Sequence, residues 1–245
     1  MLFQKAFQID DTNPLTMKHL ADHFLFDDEL DIAEALCERA LRFCGKLKKP
    51  DGCDLQSFRK DIVMLSSDLS FIWGKIHHKR ENYDDALKHY FQAVKLNSNN
   101  FSAQFCLAKI HFLNGNFNAV DECLNTILAA PKYKDCYEAI KLLAKVKSLQ
   151  GKRFEALAHY KRVIELNPKD YQSNFEVAQM FDQVDQPLAL SYYEQGLKSL
   201  SMDIEVRLKL HSDHQNEEEF FSDPINIVSP ELLNNIGVLR LEHAE

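Results

Sequence analysis

The chain has 245 residues, 45% of them hydrophobic and 27% charged, with a formal net charge of -8 at pH 7. This is the composition of a folded polypeptide, and the acidic balance argues against a protein built mainly to grip phosphate backbones. No apolar run reaches the roughly 18 residues of a membrane span, the opening MLFQKAFQIDD has no signal-peptide pattern, and 7 Gly, 7 Pro and no strand-like alternation indicate an all-helical chain.

Residues 1–13 read as the last turns of a helix, with Ala6 at its closing small position. Asn13–Pro14, a capping side chain before a first-position proline, opens the next helix. A helix pair then runs over 14–47, with Leu20, Ala21 and Phe24 on its first helix and Ala33, Cys37 and Ala40 on its second. GKLKKPDGCDLQ, 45–56, is an insertion with a Pro-Asp-Gly turn signal. The second pair, 67–100, carries Trp73, Gly74 and His77, then Ala86, Tyr90 and Ala93. The third, 101–136, carries Leu107, Ala108 and His111, then Val120, Leu124 and Ile127. The fourth, 137–170, has Leu143, Ala144 and Lys147, then Ala156, Tyr160 and Val163. The fifth, 171–202, has Val177, Ala178 and Phe181, then Ala189, Tyr193 and Gly196. Asn100 and Asp170 are placed to cap the first helices that follow them. Residues 203–229 form an acidic linker, with seven acidic residues against Arg207 and Lys209. Its first part extends the preceding helix, and HSDHQNEEEFFSDP is expected to be a loop. Residues 230–245, with Ile236–Gly237 as a large-small pair, read as a first helix alone, capped by Ser229. Beginning and ending in mid-repeat suggests a segment of a longer array; native capping helices are the alternative.

Spacings of four and three put each trio on one helix face. From Ala86 the pattern recurs at steps of 34, 36 and 33 residues. With its large-small pair, its turn glycines Gly115 and Gly151 and the terminal Pro168, the unit resembles the helix pair of the tetratricopeptide repeat. The fold class expected is an all-α tetratricopeptide-repeat (TPR) solenoid, a right-handed superhelix of antiparallel helix pairs.

Chemistry is sparse. His19 and His23 have ligand spacing, but HLADH lacks the glutamate of a zinc-hydrolase signature and no third ligand is near. His77, His78 and His89 read as packing or surface histidines. The six cysteines are scattered with no CxxC, so reduced thiols are expected. The acidic pairs Asp27–Asp28 and Asp84–Asp85 sit at turns, as caps. No phosphate loop, nucleophile triad, metal or organic cofactor site stands out, and no enzyme activity is expected.

A solenoid offers instead an inner face, lined by the second, fifth, ninth, twelfth and thirteenth places of each repeat. Those places hold an apolar group, Leu25, Phe26, Phe71, Phe105, Phe112 and Leu113, and a basic group, Lys18, Lys75, Lys79, Lys109, Lys141 and Lys145. Lys75, Lys109 and Lys145 share the ninth place in successive repeats. One reading makes the rings core filler and the lysines a solvated surface. The other makes Phe71, Lys75, Lys79, Phe105, Lys109, Phe112, Lys141 and Lys145 a peptide-binding groove, with aromatic anchors and cations for acidic flanks. The net charge disfavours direct nucleic-acid binding.

Three strings are more specific. NPLTMKHLADHFLF (13–26), QPLALSYYEQGLK (186–198) and ELLNNIGVL (231–239) resemble the repeat-rich scaffold subunit of the RNA-polymerase-II-associated factor complex, the Paf complex. The resemblance runs in order over nearly the whole chain; the insertion at 45–56 and the acidic 203–229 depart from it. It implies a nuclear, non-enzymatic scaffold without cofactors. The implied partners are the other Paf-complex subunits and, through them, RNA polymerase II. The implied roles are in transcription elongation and co-transcriptional histone modification. The alternative is a cytosolic adaptor for chaperone C-terminal peptides, with Lys75, Lys109 and Lys145 imitating part of a carboxylate clamp. The asparagines of such a clamp are not reproduced in the same repeats.

Overall fold

The structure is a computed structural model that describes residues 2–49 and 52–212; the expected loop from 213 and the half-repeat at 230–245 lie outside them. Regular structure among the described residues is helical: α1 (Leu2–Ile9), α2 (Pro14–Phe26), α3 (Leu30–Cys44), α4 (Leu55–Lys79), α5 (Tyr83–Leu96), α6 (Phe101–Leu113), α7 (Phe117–Ala129), α8 (Tyr137–Leu149), α9 (Arg153–Leu166), α10 (Tyr171–Phe181) and α11 (Gln186–Ser212). The chain divides into two compact units after Ile127. In unit 1, α2 pairs with α3 and α4 with α5; α1 packs on α2, α3 on α4, α5 on α6, and α2 lies beside α4. In unit 2, α8 pairs with α9 and α10 with α11, and α9 packs on α10. This is an all-α solenoid of paired antiparallel helices.

The recurring trios are the core. Ala33, Cys37, Ala40, Ala86, Tyr90, Ala93, Val120, Leu124, Ala156, Tyr160, Val163, Ala189 and Tyr193 all have 2% exposure or less. The small members of the first helices, Ala21, Ala108, Ala144 and Ala178, are fully buried too. Small residues let the two helices approach, and the tyrosine fills the space beside them. The contact is tightest at Gly74. A Cβ added there would stand 2.5 Å from Cδ1 and 2.6 Å from Cε1 of Tyr90. Neither ring atom is the loose end of a flexible chain, so even one methyl group forces the helices or the ring to move. Ala144 holds the corresponding place beside Tyr160, within one core cluster.

The turns inside the pairs follow one scheme. After α4 the N–H of Asn82 reaches back to the His77 carbonyl (2.9 Å); Asn116 does the same to His111 (2.8 Å) and Lys152 to Lys147 (2.9 Å). Each is the closing bond of a Schellman motif, which requires a left-handed residue just before it. Gly115 (φ 71°) and Gly151 (φ 74°) meet that need without a Cβ clash, whereas Asp28 (φ 64°) and Glu81 (φ 59°) hold the same place as L-residues. The first helices α2, α6 and α10 begin on side-chain caps: Asn13 accepts from the Leu15 N–H (3.0 Å), Asn100 from Ala103 (3.1 Å) and Asp170 from Ser173 (3.0 Å). Each such cap satisfies a donor that the helix itself leaves open.

Two helices outrun the repeat boundaries. α4 starts at Leu55, capped by Asp54 through the Ser57 N–H (2.8 Å), so 57–66, assigned to no repeat, is helical. Phe58, Ile62 and Leu65, at spacings of four and three, form its half-buried stripe, and Ile62 and Leu65 join the core of unit 1. α11 continues to Ser212, as expected for the first part of the acidic linker.

Gly74→Ala is expected to destabilise the protein by about 1–3 kcal/mol in chemical unfolding, the usual cost of overpacking. A wild-type midpoint would show that the Tyr90 contact does not limit helix approach. Glu81→Gly is expected to stabilise by about 0.5–1 kcal/mol, because relief of the left-handed strain outweighs glycine's greater unfolded entropy; the same unfolding experiment measures it.

Candidate functional site: the inner faces of the two units

The candidate groove residues fall in both units, six on α4 and α6 of unit 1 and two on α8 of unit 2. Each group is described within its own unit.

In unit 1 the four-residue spacing places each lysine over its own phenylalanine. The Lys75 ammonium lies 5.6 Å from the Phe71 ring centroid and that of Lys109 lies 4.7 Å from Phe105. Phe71 is half-buried, with its ring 5.9 Å from that of Tyr90, so it is part of the core as well as the face. Phe105 is half-buried, and Phe112 stands 6.1 Å from the Phe117 ring. Leu25, an expected face residue, is 2% exposed and belongs to the core.

Carboxylates of neighbouring helices take most of the cations. Lys75 is 3.6 Å from Asp22 of α2, and Lys18 is 2.8 Å from Asp68 of α4. Lys79 donates to Asp28 (2.8 Å) and to the Leu25 carbonyl (3.0 Å). Lys109 is exposed, and no carboxylate pairs with it among the described residues. A cleft of about 240 Å³ lies on this face, lined by Lys18, Asp22, Asp68, Phe71, Ile72, Asn100 and Ser102. In it Asn100 is engaged: its Nδ2 donates to Ser67 Oγ (3.0 Å) while its oxygen caps α6.

In unit 2, Lys141 donates to Asp170 (2.5 Å) and to Gln172 Oε1 (2.8 Å). Lys145 is exposed and lines a cleft with Glu176. Burial lifts the Glu176 carboxyl above its ordinary range, and the nearby Lys145 and Lys141 charges offset only part of that.

Sequence reasoning missed a polar cluster joining α3, α4 and α5. Glu34 accepts from Trp73 Nε1 (3.1 Å) and from Arg80, which also reaches Asp31. His77 Nε2 stands 3.8 Å from Glu34. The His89 ring is sandwiched between Trp73 (centroids 4.5 Å apart) and His77 (5.1 Å). Burial raises the Glu34 pKa, but the Arg80 and Trp73 hydrogen bonds outweigh it and the net shift is down. The histidines were visible as packing residues; Glu34, more than 35 residues away in sequence, carried no local signal.

Among the described residues no group of three or more His, Cys, Asp or Glu side chains could hold a metal, and no helix is long and apolar enough to cross a membrane. His19 stacks on Phe3 at 4.5 Å and His23 faces Asp27 at 3.3 Å. The described cysteines are free thiols, and burial pushes the Cys37 thiol up to about 12.

The TPR repeat family matches residues 74–115. Over 248 residues the chain is 21% identical to RNA polymerase-associated protein CTR9 of Caenorhabditis elegans, a match covering 98% of this chain and 18% of that protein. Over 211 residues it is 28% identical to a TPR repeat-containing protein of Methanocaldococcus jannaschii, covering 78% of this chain and 36% of that one. The chain thus spans well under half of either relative. Among solved structures it is similar to YrrB, a TPR protein with an unusual peptide-binding site, at TM-score 0.62 and 15% identity, covering 81% of this chain and 92% of that one. It is also similar to the C-terminal part of a TPR repeat-containing protein from Cytophaga hutchinsonii, at TM-score 0.59 and 14% identity, covering 97% and 88%.

Burial lowers the pKa of His89, helped by His77 and Lys88 and opposed by Asp85 and Glu34; burial, with the Lys109 charge, lowers that of His78. A depressed histidine favours the fold while it is neutral, so this stability is present above about pH 6.5 and is lost as pH falls below it. The denaturant midpoint of unit 1 is expected to fall between about pH 7 and 5, and His89→Gln to flatten part of that slope. A midpoint constant over this range would overturn the assignment. By fold the chain is similar to tetratricopeptide-repeat proteins, and its residues 74–115 match the TPR repeat family.

Proposed function

We propose that the chain is part of a nuclear, non-enzymatic scaffold of the Paf complex, holding other subunits of that complex and, through them, elongating RNA polymerase II. In this role it supports elongation and co-transcriptional histone modification without performing the chemistry. The observation that carries this reading is the match to CTR9, which covers 98% of the chain rather than one generic repeat. The strings at 13–26 and 231–239 add to it, beyond what the repeat pattern demands. The chaperone-adaptor reading finds less support: Lys75 lies beside Asp22, and the Asn100 amide is spent on Ser67 and a helix cap.

The partner surface in this reading is the aromatic face of unit 1, centred on Phe105 and Lys109. The fold shared with YrrB, a TPR protein with an unusual peptide-binding site, favours capture of a peptide segment. Phe71, half in the core, supports the surface from beneath.

Pull-down of the chain with purified Paf-complex subunits, beside a chaperone C-terminal peptide, tests the proposal; capture of the chaperone peptide alone would sink it. On a captured subunit, Phe105→Ala is expected to cost about 2 kcal/mol or more of affinity, as a desolvated aromatic anchor does. Lys109→Ala is expected to cost about 0.2–1 kcal/mol, as an exposed charge does, and to act mainly on association rate and salt dependence. Melting curves run alongside separate binding from stability. If Phe105→Ala lowers the melting temperature and leaves affinity unchanged, the ring is core filler.

A further inference from the structure

The part of α4 that the repeat does not require carries a face of its own. Ser66 hydrogen-bonds the thiol of Cys44, the last residue of α3. Ser67 Oγ donates to the Ala93 carbonyl (2.8 Å), in the last turn of α5. Residues 55–62 therefore run on past the ends of both neighbours, by about two helical turns.

Phe58, Ile62 and Leu65 form the half-buried side of this stretch. On the outward side Leu55, Arg59 and Val63 follow at spacings of four, and Gln56, Lys60 and Met64 repeat them one residue later. These are adjoining stripes of one helix face. All six residues are exposed, and the apolar ones are so to a large extent: Leu55 49%, Val63 39% and Met64 45%. A helix face that meets only water normally carries polar side chains.

Charge is sorted in the same way. Arg59 and Lys60 make no ion pair among the described residues. Asp54 and Asp61, seven apart, fall on the stripe of Phe58 and Leu65, away from the outward face, and Asp54 is engaged as the cap of α4. The preceding segment adds Lys46, Lys48 and Lys49; Lys49 donates to the Cys53 carbonyl (2.8 Å), while Lys46 and Lys48 are exposed and unpaired among the described residues. Residues 46–64 hold five lysines and arginines against three aspartates, in a chain of net charge -8.

These features select among occupants. A second copy docking by the same face would set Arg59 and Lys60 against themselves. An anionic membrane or a polynucleotide would be repelled by the net charge of the chain, and two cations on the face are fewer than the roughly four to eight of a lipid-binding cluster. No aromatic side chain stands on the outward stripes to stack a base. A short protein segment bearing a few carboxylates meets none of these objections.

We propose that the outward face of α4 between Leu55 and Met64 docks an acidic amphipathic helix of a partner protein. Its apolar side chains pack on Leu55, Val63 and Met64, and its carboxylates pair with Arg59 and Lys60. The face is about 13.5 Å long, so a partner helix of three turns, about 11 residues, covers it. Met64, flexible and polarizable, adapts to the shape of the partner's side chains. The site lies outside the repeat register that defines the inner face, so it is independent of the scaffold reading and of the Phe105 surface.

The test is fluorescence anisotropy with the whole chain. The probe is a labelled 14-residue peptide, the heptad Leu-Glu-Glu-Leu-Leu-Glu-Glu repeated twice. The controls are a peptide of the same composition with its leucines spread around the helix, the leucine–lysine counterpart, phosphatidylserine vesicles and oligouridine. The acidic amphipathic peptide is expected to bind and the controls not. Replacing both Val63 and Met64 with Gln, a good helix former, should weaken binding about tenfold or more at any salt concentration and leave the melting temperature unchanged. Replacing both Arg59 and Lys60 with Gln should weaken it at low salt and little at high salt. Phe105→Ala should leave it unchanged. The proposal is overturned if the probe does not bind, if the spread-leucine or lysine peptide binds equally, or if the Val63 and Met64 variant binds as wild type. It is overturned as well if vesicles or oligouridine displace the probe at equal affinity, or if Phe105→Ala abolishes binding. Sedimentation that finds a dimer in wild type and a monomer in the Val63 and Met64 variant would assign the face to a second copy and overturn it too.

Discussion

The distance between the two helices of a pair is set by a ring pressed against small residues. Tyr90, Tyr160 and Tyr193 are each at 2% exposure or less, with an alanine one turn before each on its own helix (Ala86, Ala156 and Ala189) and a glycine or alanine on the partner. At Gly74 the approach leaves no room for a methyl group. Everything further out depends on that spacing. A helix pair cannot bury its remaining apolar face alone, so it stacks on the next pair. In unit 1 this stacking brings α2 beside α4, so residues tens of positions apart in sequence stand side by side on one face.

The residues under steric constraint were legible in the sequence. A core packed to crystal density tolerates few substitutions, so the trios from Ala33 to Tyr193 and the turn glycines repeat visibly. Asp28 and Glu81 were harder to see, because they take a left-handed conformation for which a sequence normally supplies glycine. The start of α4 at Leu55 was not read, because register was inferred from a repeat that ends before it; the apolar stripe of Phe58, Ile62 and Leu65 was the available signal. The inner face was read only in part. The lysines were placed at their register positions, but their carboxylate partners were not, since those come from other repeats at long sequence separation. Asp22 occupies in its own repeat the ninth place that Lys75 occupies in the next, and the two meet at 3.6 Å.

That ion pair changes what the lysines can do. A row of like charges would repel itself and attract any polyanion. Where a neighbouring repeat supplies acids at the same places, the row is largely self-neutralised, and the aromatic rings beneath become the distinctive chemistry of the face. In unit 2 the partners are mixed: Asp170 and Gln172 both accept from Lys141, and Glu176 of α10 stands with Lys145 in one cleft. Adjacent repeats with nearly the same backbone therefore carry faces of different character through substitutions at a few places.

The same division explains why the fold is shared at 15% identity with YrrB while the surface chemistry does not follow from it. The fold requires the trio on the second helix, the large-small pair on the first and the residue that takes the left-handed turn. The ninth place is not among these requirements, and in successive repeats it reads Asp22, Lys75, Lys109, Lys145 and Gln179. An exposed side chain there changes partner affinity with little effect on packing, so the solenoid can vary its ligands without losing its core. Knowing what such a chain binds therefore depends on the order of residues at the unconstrained places, taken together with the neighbours that the stacking brings against them.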